Sequence, residues 1–271
     1  MKERWIQLTK RADFYRIAEK FHIDPVIARV IRNRDIVTEE EYERYLGTNT
    51  NLYDPHLMKD MDRGVAWIRQ AILDQKKIRI LSDYDVDGVM SNYILYRALK
   101  RCNADVDYRI PDRIEDGYGM NETMVREAYD AGIQVLLTCD NGIAALLPIA
   151  YAKNLGMTVV VTDHHDIPFE YDEDGRKEYI QSVADAVIDP KQEDCSYPYK
   201  QLCGAGVAYK FVQVLYETCG IDVEEAEEFI EFVAMATICD VMELKDENRI
   251  LVKRGLEELN RTGNFGLRAL I

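Results

Sequence analysis

The chain has 271 residues, 47% of them hydrophobic, with 34 basic against 49 acidic side chains and a net charge of −15. That length suits one large α/β core or two smaller ones, and the apolar share excludes a disordered or fibrous chain. The charge argues against a generic polyanion binder, whose affinity comes from lysine and arginine neutralising phosphates.

The opening Met1-Lys2-Glu3-Arg4-Trp5 lacks the basic-then-apolar order of a secretory signal, and no apolar run approaches the roughly 20 residues that span a bilayer. The expected compartment is the cytoplasm, with no membrane contact. Residues 1–76 read as a helical N-terminal region: Thr38-Glu39-Glu40-Glu41 has capping-box spacing, followed by Tyr42, Tyr45 and Leu46 at helical intervals. From residue 77 the rhythm changes. Short β-rich runs at Ile78–Leu81, Val135–Leu137, Met157–Val161 and Ala184–Ile188 alternate with helix-like segments such as Val89–Lys100 and Ala144–Leu155. Such alternation predicts a doubly wound, mainly parallel α/β sheet over residues 77–245. After Ala205 the pattern is helical again, with Val223–Thr237 acidic on one face, and residues 246–271 are expected to start a linker helix. The six cysteines (Cys102, Cys139, Cys195, Cys203, Cys219 and Cys239) form no Cys-x-x-Cys pair and read as free thiols.

Five segments place acidic or imidazole groups at the ends of apolar runs. They are Asp83-Tyr84-Asp85-Val86-Asp87-Gly88, Cys139-Asp140-Asn141-Gly142, Asp163-His164-His165, Ile188-Asp189-Pro190 and Cys239-Asp240. In a doubly wound sheet, ligands bind beyond the carboxyl ends of the strands. One aspartate there is ordinary turn or cap chemistry, but recurrence along one sheet points to clustered hard metal ligands. Asp83, Asp85 and Asp87 alternate, so in an extended segment they share one side and repel unless cations or protons neutralise them. Gly88 permits a tight turn into a helix expected to start near Val89. An EF-hand calcium loop would need a helix on each side and a glutamate at its twelfth position, whereas here an apolar strand-like run precedes and no glutamate falls there.

In Asp163-His164-His165 the adjacent side chains point in different directions, so one imidazole can bind metal while the other faces substrate. Many oxygen ligands with one or two imidazoles favour Mn²⁺ or Mg²⁺ over a structural zinc. Bound cations also return positive charge to the site, so the net charge does not exclude a phosphate substrate. Gly204-Ala205-Gly206 opens a helix-like segment whose amides suit a phosphate, with close helix packing an equal alternative. Arg113, beside Gly117-Tyr118-Gly119, is a candidate phosphate contact or a solvated surface group. Tyr118 is read for base stacking or for packing, and Cys139 and Cys239 for packing.

The order of these motifs, together with Leu202-Cys203-Gly204-Ala205-Gly206-Val207-Ala208, resembles the DHH phosphoesterase superfamily, and most closely its RecJ single-strand-specific exonucleases. Pro25-Val26-Ile27-Ala28, Asn33-Arg34, Pro111-Asp112-Arg113 and Asn248-Arg249 extend the resemblance over nearly the whole chain. The resemblance implies two ions, Mn²⁺ or Mg²⁺. Asp85 and Asp140, with Asp83 as a further ligand, would hold one; Asp87, Asp140, His164 and Asp240 would hold the other, with Asp140 bridging. His165 would face the scissile phosphate or the attacking water, and Asp163 would orient the histidines. Two ions about 3.5 to 4 Å apart would activate water and stabilise developing charge, so phosphodiester hydrolysis is the implied reaction. The implied activity is a 5′-to-3′ exonuclease on single-stranded DNA, serving repair and recombination.

Two features depart from the family. Asp189 stands where related sequences often have asparagine, leaving it a metal contact or only a turn former. No Gly-Gly-His signature and no run of short strands follows residue 240. The chain thus resembles the catalytic N-terminal part of a longer enzyme, whose second, DHHA1-like domain and nucleic-acid-binding barrel are expected but absent. Two other readings keep the same site: a phosphodiesterase for short oligonucleotides or cyclic dinucleotides, and a non-catalytic scaffold. The complete ligand set speaks against the scaffold.

Overall fold

The computed structural model describes residue 6 and residues 10–271; the Met1–Trp5 segment read for a leader lies outside the described residues. Two compact units divide between Asn51 and Leu52.

The first unit holds three short helices, α1 (Phe14–Phe21), α2 (Pro25–Asn33) and α3 (Glu39–Leu46). The capping box at the start of α3 forms: Glu41 N–H donates to Thr38 Oγ1 at 3.2 Å, and Thr38 N–H donates to the Glu41 carboxylate at 2.8 Å. Ile31, Ile36 and Tyr42 make a small core, with Phe21 stacked on Tyr42.

The second unit continues through α4 (Met61–Leu73), β1 (Lys77–Ser82), α5 (Val86–Arg101), β2 (Asp105–Arg109), α6 (Glu122–Asp130), β3 (Val135–Cys139), α7 (Leu146–Asn154) and β4 (Thr158–Thr162). A hairpin of β5 (Phe169–Tyr171) and β6 (Lys177–Tyr179) precedes β7 (Ala186–Ile188), and the chain then runs through α8 (Gly204–Cys219), α9 (Ile230–Cys239), α10 (Asp246–Leu259) and α11 (Phe265–Leu270). Five parallel strands form one sheet in the order β2-β1-β3-β4-β7.

Successive strand residues face opposite sides, so each apolar strand needs cover on both. Ile78, Ile80, Leu137, Val160 and Ile188 lie in a larger core with apolar residues of α4, α5, α8 and α9. Leu81, Leu136, Val159 and Val161 lie in a second core with α6 and α7. The sheet is doubly wound, as its periodicity predicts.

Several expected boundaries move. Residues 52–76, expected to group with the N-terminal helices, belong to the sheet's unit, because Met61, Val65 and Ile68 of α4 are buried in the larger core. Helix α10 likewise buries Ile250 and Leu251 within this unit rather than departing as a linker. Strand β2 has no counterpart among the predicted apolar runs: as an edge strand it alternates Asp105, Asp107 and Arg109 with a single buried residue, Val106. The acidic segment from Val223 divides into a 3-10 helix, Val223–Phe229, and α9. No described helix is long and apolar enough to cross a membrane.

Candidate metal centre

Parallel register lines up the ends of four adjacent strands. Ser82 pairs with Cys139, Cys139 with Thr162, and Thr162 with Ile188. One residue beyond these positions stand Asp83, Asp140, Asp163 and Asp189, each no more than 2% exposed. Four buried carboxylates in a row repel one another in a medium that solvates them poorly. At Asp140, burial and then the charges of Asp87 and Asp163 push the carboxyl up to about 11.

The segment after β1 is not extended, as its alternation suggested. The strand ends at Ser82 and α5 begins at Val86, three residues earlier than expected. Asp85 is the N-cap, accepting Gly88 N–H at 3.0 Å, and Asp87 lies in the first turn. The three aspartates therefore diverge. Asp83 and Asp85 stay toward β3, while Asp87 turns to α8, where its oxygens accept Gly204 N–H at 2.6 Å and Ala205 N–H at 2.7 Å. This corrects the phosphate-binding reading of Gly204, Ala205 and Gly206. Their amides are already taken, the third by Cys203 Sγ at 3.4 Å, and the positive end of α8 holds the Asp87 carboxylate. A Cβ on Gly204 would lie 2.7 Å from Asp140 Cβ, so only glycine lets α8 approach this closely.

Three sets of donor atoms come within 4.8 Å of one another: Asp83, Asp85 and Asp140; Asp87, His164 and Asp240; and Asp140, His164 and His165. Asp140 and His164 link the first two sets. His164 Nε2 lies 3.0 Å from Asp140 Oδ1, 3.5 Å from Asp87 Oδ2 and 3.8 Å from Asp240 Oδ2. Burial, reinforced by His165, nevertheless lowers its pKa to about 4, so the ring is neutral near pH 7. A lone pair facing three carboxylates is stabilised only by a proton or cation between them. Asp83 supports the same reading, since both its oxygens are buried without a well-formed hydrogen bond. Oxygen-rich donors with one neutral imidazole fit a hard divalent cation such as Mn²⁺.

His165 is set differently. Its Nδ1–H donates to Asp163 Oδ1 at 2.7 Å and its Nε2 meets the Tyr118 hydroxyl at 2.9 Å, a tautomer assigned from these partners. The bond to Asp163 raises the pKa of His165. Burial would push Asp163 up, but the ring of His165 and Ile143 N–H, at 2.8 Å, outweigh it and hold this carboxyl below the usual range. Asp163 also accepts the backbone N–H groups of His164 and His165, so it orients both histidines.

Residues 77–237 match the DHH family, N-terminal domain. The chain belongs to the DHH family. It is similar to the single-stranded-DNA-specific exonuclease RecJ of Bacillus subtilis (strain 168), 38% identical over 272 residues that take in 100% of this chain and 33% of that protein. The chain thus spans about a third of that relative's length. Among solved structures it is similar to RecJ in complex with Mn²⁺ from Thermus thermophilus, with a TM-score of 0.75 and 27% identity, covering 98% of this chain and 36% of that one. It is also similar to exonuclease RecJ bound to manganese, with a TM-score of 0.68 and 32% identity over 79% of this chain and 51% of that one.

Other residues of this DHH domain take places that spacing could not reveal. Asp189 joins none of the three donor sets. Its Oδ1 accepts Lys191 N–H at 2.7 Å, its Oδ2 is buried without a partner, and burial followed by Asp163 pushes it up to about 8. Tyr118 is 58% exposed, edge-on to both Tyr84 and His165. Arg113 is exposed, its guanidinium 5.4 Å from the Tyr84 ring centre. Nothing in its motif gave Tyr84 a role, and the same holds for Asn141, whose amide donates to Leu81 O at 3.1 Å and Cys139 O at 2.9 Å and so ties the ends of β1 and β3. Cys139 is buried as expected, whereas Cys239 is exposed at the end of α9.

Proposed function

We propose that this domain is the catalytic part of a RecJ-type enzyme, hydrolysing phosphodiester bonds of single-stranded DNA from a 5′ end with two Mn²⁺ or Mg²⁺ ions. One observation carries the reading. Two donor sets meet at Asp140 and the neutral ring of His164, at strand ends where an α/β sheet binds its ligands. Asp83, Asp85 and Asp140 would hold one ion; Asp87, Asp140, His164 and Asp240 would hold the other. When bound, such ions supply Lewis-acid charge to phosphate oxygens and make water a stronger nucleophile near pH 7.

This chain's own residues do the rest. Asp163 fixes the ring of His165, which keeps a proton at Nδ1 and turns Nε2 to the exposed Tyr118 hydroxyl, a partner that a phosphate oxygen would replace when the ring is an imidazolium. Tyr118 lies exposed beside it and Arg113 lies exposed over the Tyr84 ring, an aromatic face and a guanidinium suited to a nucleotide base and a phosphate. The similarity to RecJ proteins supports the choice of single-stranded DNA and the polarity.

The test incubates end-labelled single-stranded DNA, duplex DNA, dinucleotides and cyclic dinucleotides with Mn²⁺ and the chain or its Asp140→Ala variant. Metal-dependent release of mononucleotides from single strands by the wild type alone is expected. Equal cleavage by the variant would sink the mechanism, and cleavage confined to dinucleotides would move the substrate to short oligonucleotides.

A further inference from the structure

Asn248 is fully buried in the first turn of α10, yet its side chain works outside that helix. Its Nδ2 donates to Gln201 O at 2.6 Å and to Glu243 O at 3.2 Å. Gln201 lies just ahead of Gly204 and Ala205, whose amides hold Asp87. Glu243 lies just beyond Asp240. Asp87 and Asp240 belong to one donor set with His164, so a single amide group joins the two segments that carry it.

The neighbouring Glu247 anchors the same turn. Its carboxylate, fully buried, accepts Lys210 Nζ from the middle of α8 at 2.8 Å, Tyr197 Oη–H at 2.6 Å and Tyr53 N–H at 2.8 Å. Because α8 is thereby fixed to α10, a shift at Asn248 would act at the entry to α8 and after α9 rather than be absorbed by sliding of the helix. Asn248 Oδ1 is buried without a partner. A buried amide with an orphan acceptor is a poorer packing element than an apolar side chain of the same size, so its contribution lies in the two bonds it donates.

We propose that Asn248 is a positioning residue for the second cation subsite, setting the spacing between Asp240 and the Gly204/Ala205 clamp on Asp87. Of the other set, Asp83 follows β1 and Asp85 is the N-cap of α5, neither on the segments that Asn248 joins. This role rests on the two-ion reading of the site. Removing both donors therefore acts first on the ion of Asp87 and Asp240, and reaches the other only through the shared Asp140.

The experiment titrates the full chain with Mn²⁺ and follows free Mn²⁺ by electron paramagnetic resonance, for wild type, Asn248→Leu and Asp240→Asn. Wild type binds two ions. In Asn248→Leu one ion stays within about threefold of its affinity while the other weakens about ten- to a hundredfold, the range for losing a group that orients a metal ligand. Asp240→Asn shows the same split. Both ions unchanged, or both weakened alike with a lower melting temperature in chelator, overturns the positioning role. Should Asn248→Leu not fold, amide exchange of the wild type decides: saturating Mn²⁺ slows residues 201–205 and 240–248 together, and an unchanged first turn of α10 overturns the proposal. A wild type that binds no Mn²⁺ removes the two-ion reading itself, whereas two ions in the wild type with no split in the variant removes only the role of Asn248.

Discussion

Replacing Asp140 by asparagine should make the metal-free protein more stable while taking away the stability it gains from Mn²⁺. Asp140 is 2% exposed between Asp87 and Asp163, and burial with those charges pushes its carboxyl up to about 11. In the unfolded chain the group titrates near 3.9. Above about pH 4 the folded protein therefore holds a proton that the unfolded chain has released, so stability falls as pH rises from there toward the folded pKa. At pH 7 the span is about 3 units, or about 4 kcal/mol at 1.36 kcal/mol per unit, an upper bound because Asp87 shares the repulsion. Asparagine keeps the shape and avoids that cost. At about 2–4 °C per kcal/mol, a gain of about 2–4 kcal/mol raises the melting temperature by roughly 4–16 °C.

Mn²⁺ at a hundred times its dissociation constant adds about 2.7 kcal/mol to the wild type. The variant, lacking the shared carboxylate, should gain little. Thermal denaturation at pH 5, 7 and 8.5, first in chelator and then in Mn²⁺, measures both halves. A variant less stable than wild type in chelator at pH 7, or parallel stability curves across pH, would refute the reasoning.

Four further outcomes are expected. Gly204→Ala forces a methyl to within 2.7 Å of Asp140 Cβ, so it should lower stability by about 1–3 kcal/mol and weaken Mn²⁺ in calorimetric titration; wild-type affinity would mean that α8 can move aside. Tyr118→Phe removes only the 2.9 Å contact to His165, so Mn²⁺ affinity should hold while kcat/KM falls about five- to tenfold, the worth of about one hydrogen bond. Lys210→Met or Glu247→Leu alone should each cost about 3–5 kcal/mol in urea denaturation, with the two combined costing less than their sum, because each single change strands a buried charge. The pKa of His56 is raised by its bonds to Glu217 and Asp62, so its contribution is complete below about pH 6.5, where the unfolded imidazole titrates, and is lost as pH rises through the folded pKa. His56→Gln should remove that slope between pH 6 and 8, and an unchanged slope would place it elsewhere.

The apolar runs at Ile78, Val135 and Val159 were legible because a strand buried on both faces is almost wholly apolar, broken between Ile78 and Leu81 only by the half-buried Arg79. The exposed edge strand β2 was not, since nearly all of its side chains face water and leave no such run. Hairpin β5–β6 escaped for the same reason.

At the site, residue chemistry and motif order marked Asp83, Asp85, Asp87, Asp140, His164 and Asp240 as candidate ligands, because a hard cation needs oxygen and imidazole donors that no apolar core would tolerate, and folding brings these six into two groups of close donor atoms. Their partition into sets depends on distances between segments far apart in the chain. Sequence spacing alone made Gly204 and Ala205 equally suited to a phosphate or to packing, and only the tertiary structure directed their amides to Asp87. Asn248 is marked in sequence only as part of the family resemblance, with no role attached; folding brings Gln201 O and Glu243 O to its amide. Donor type is a property of the side chain and can be read along the chain, whereas the partner of each donor is set by packing between helices and strand ends, which local sequence does not encode.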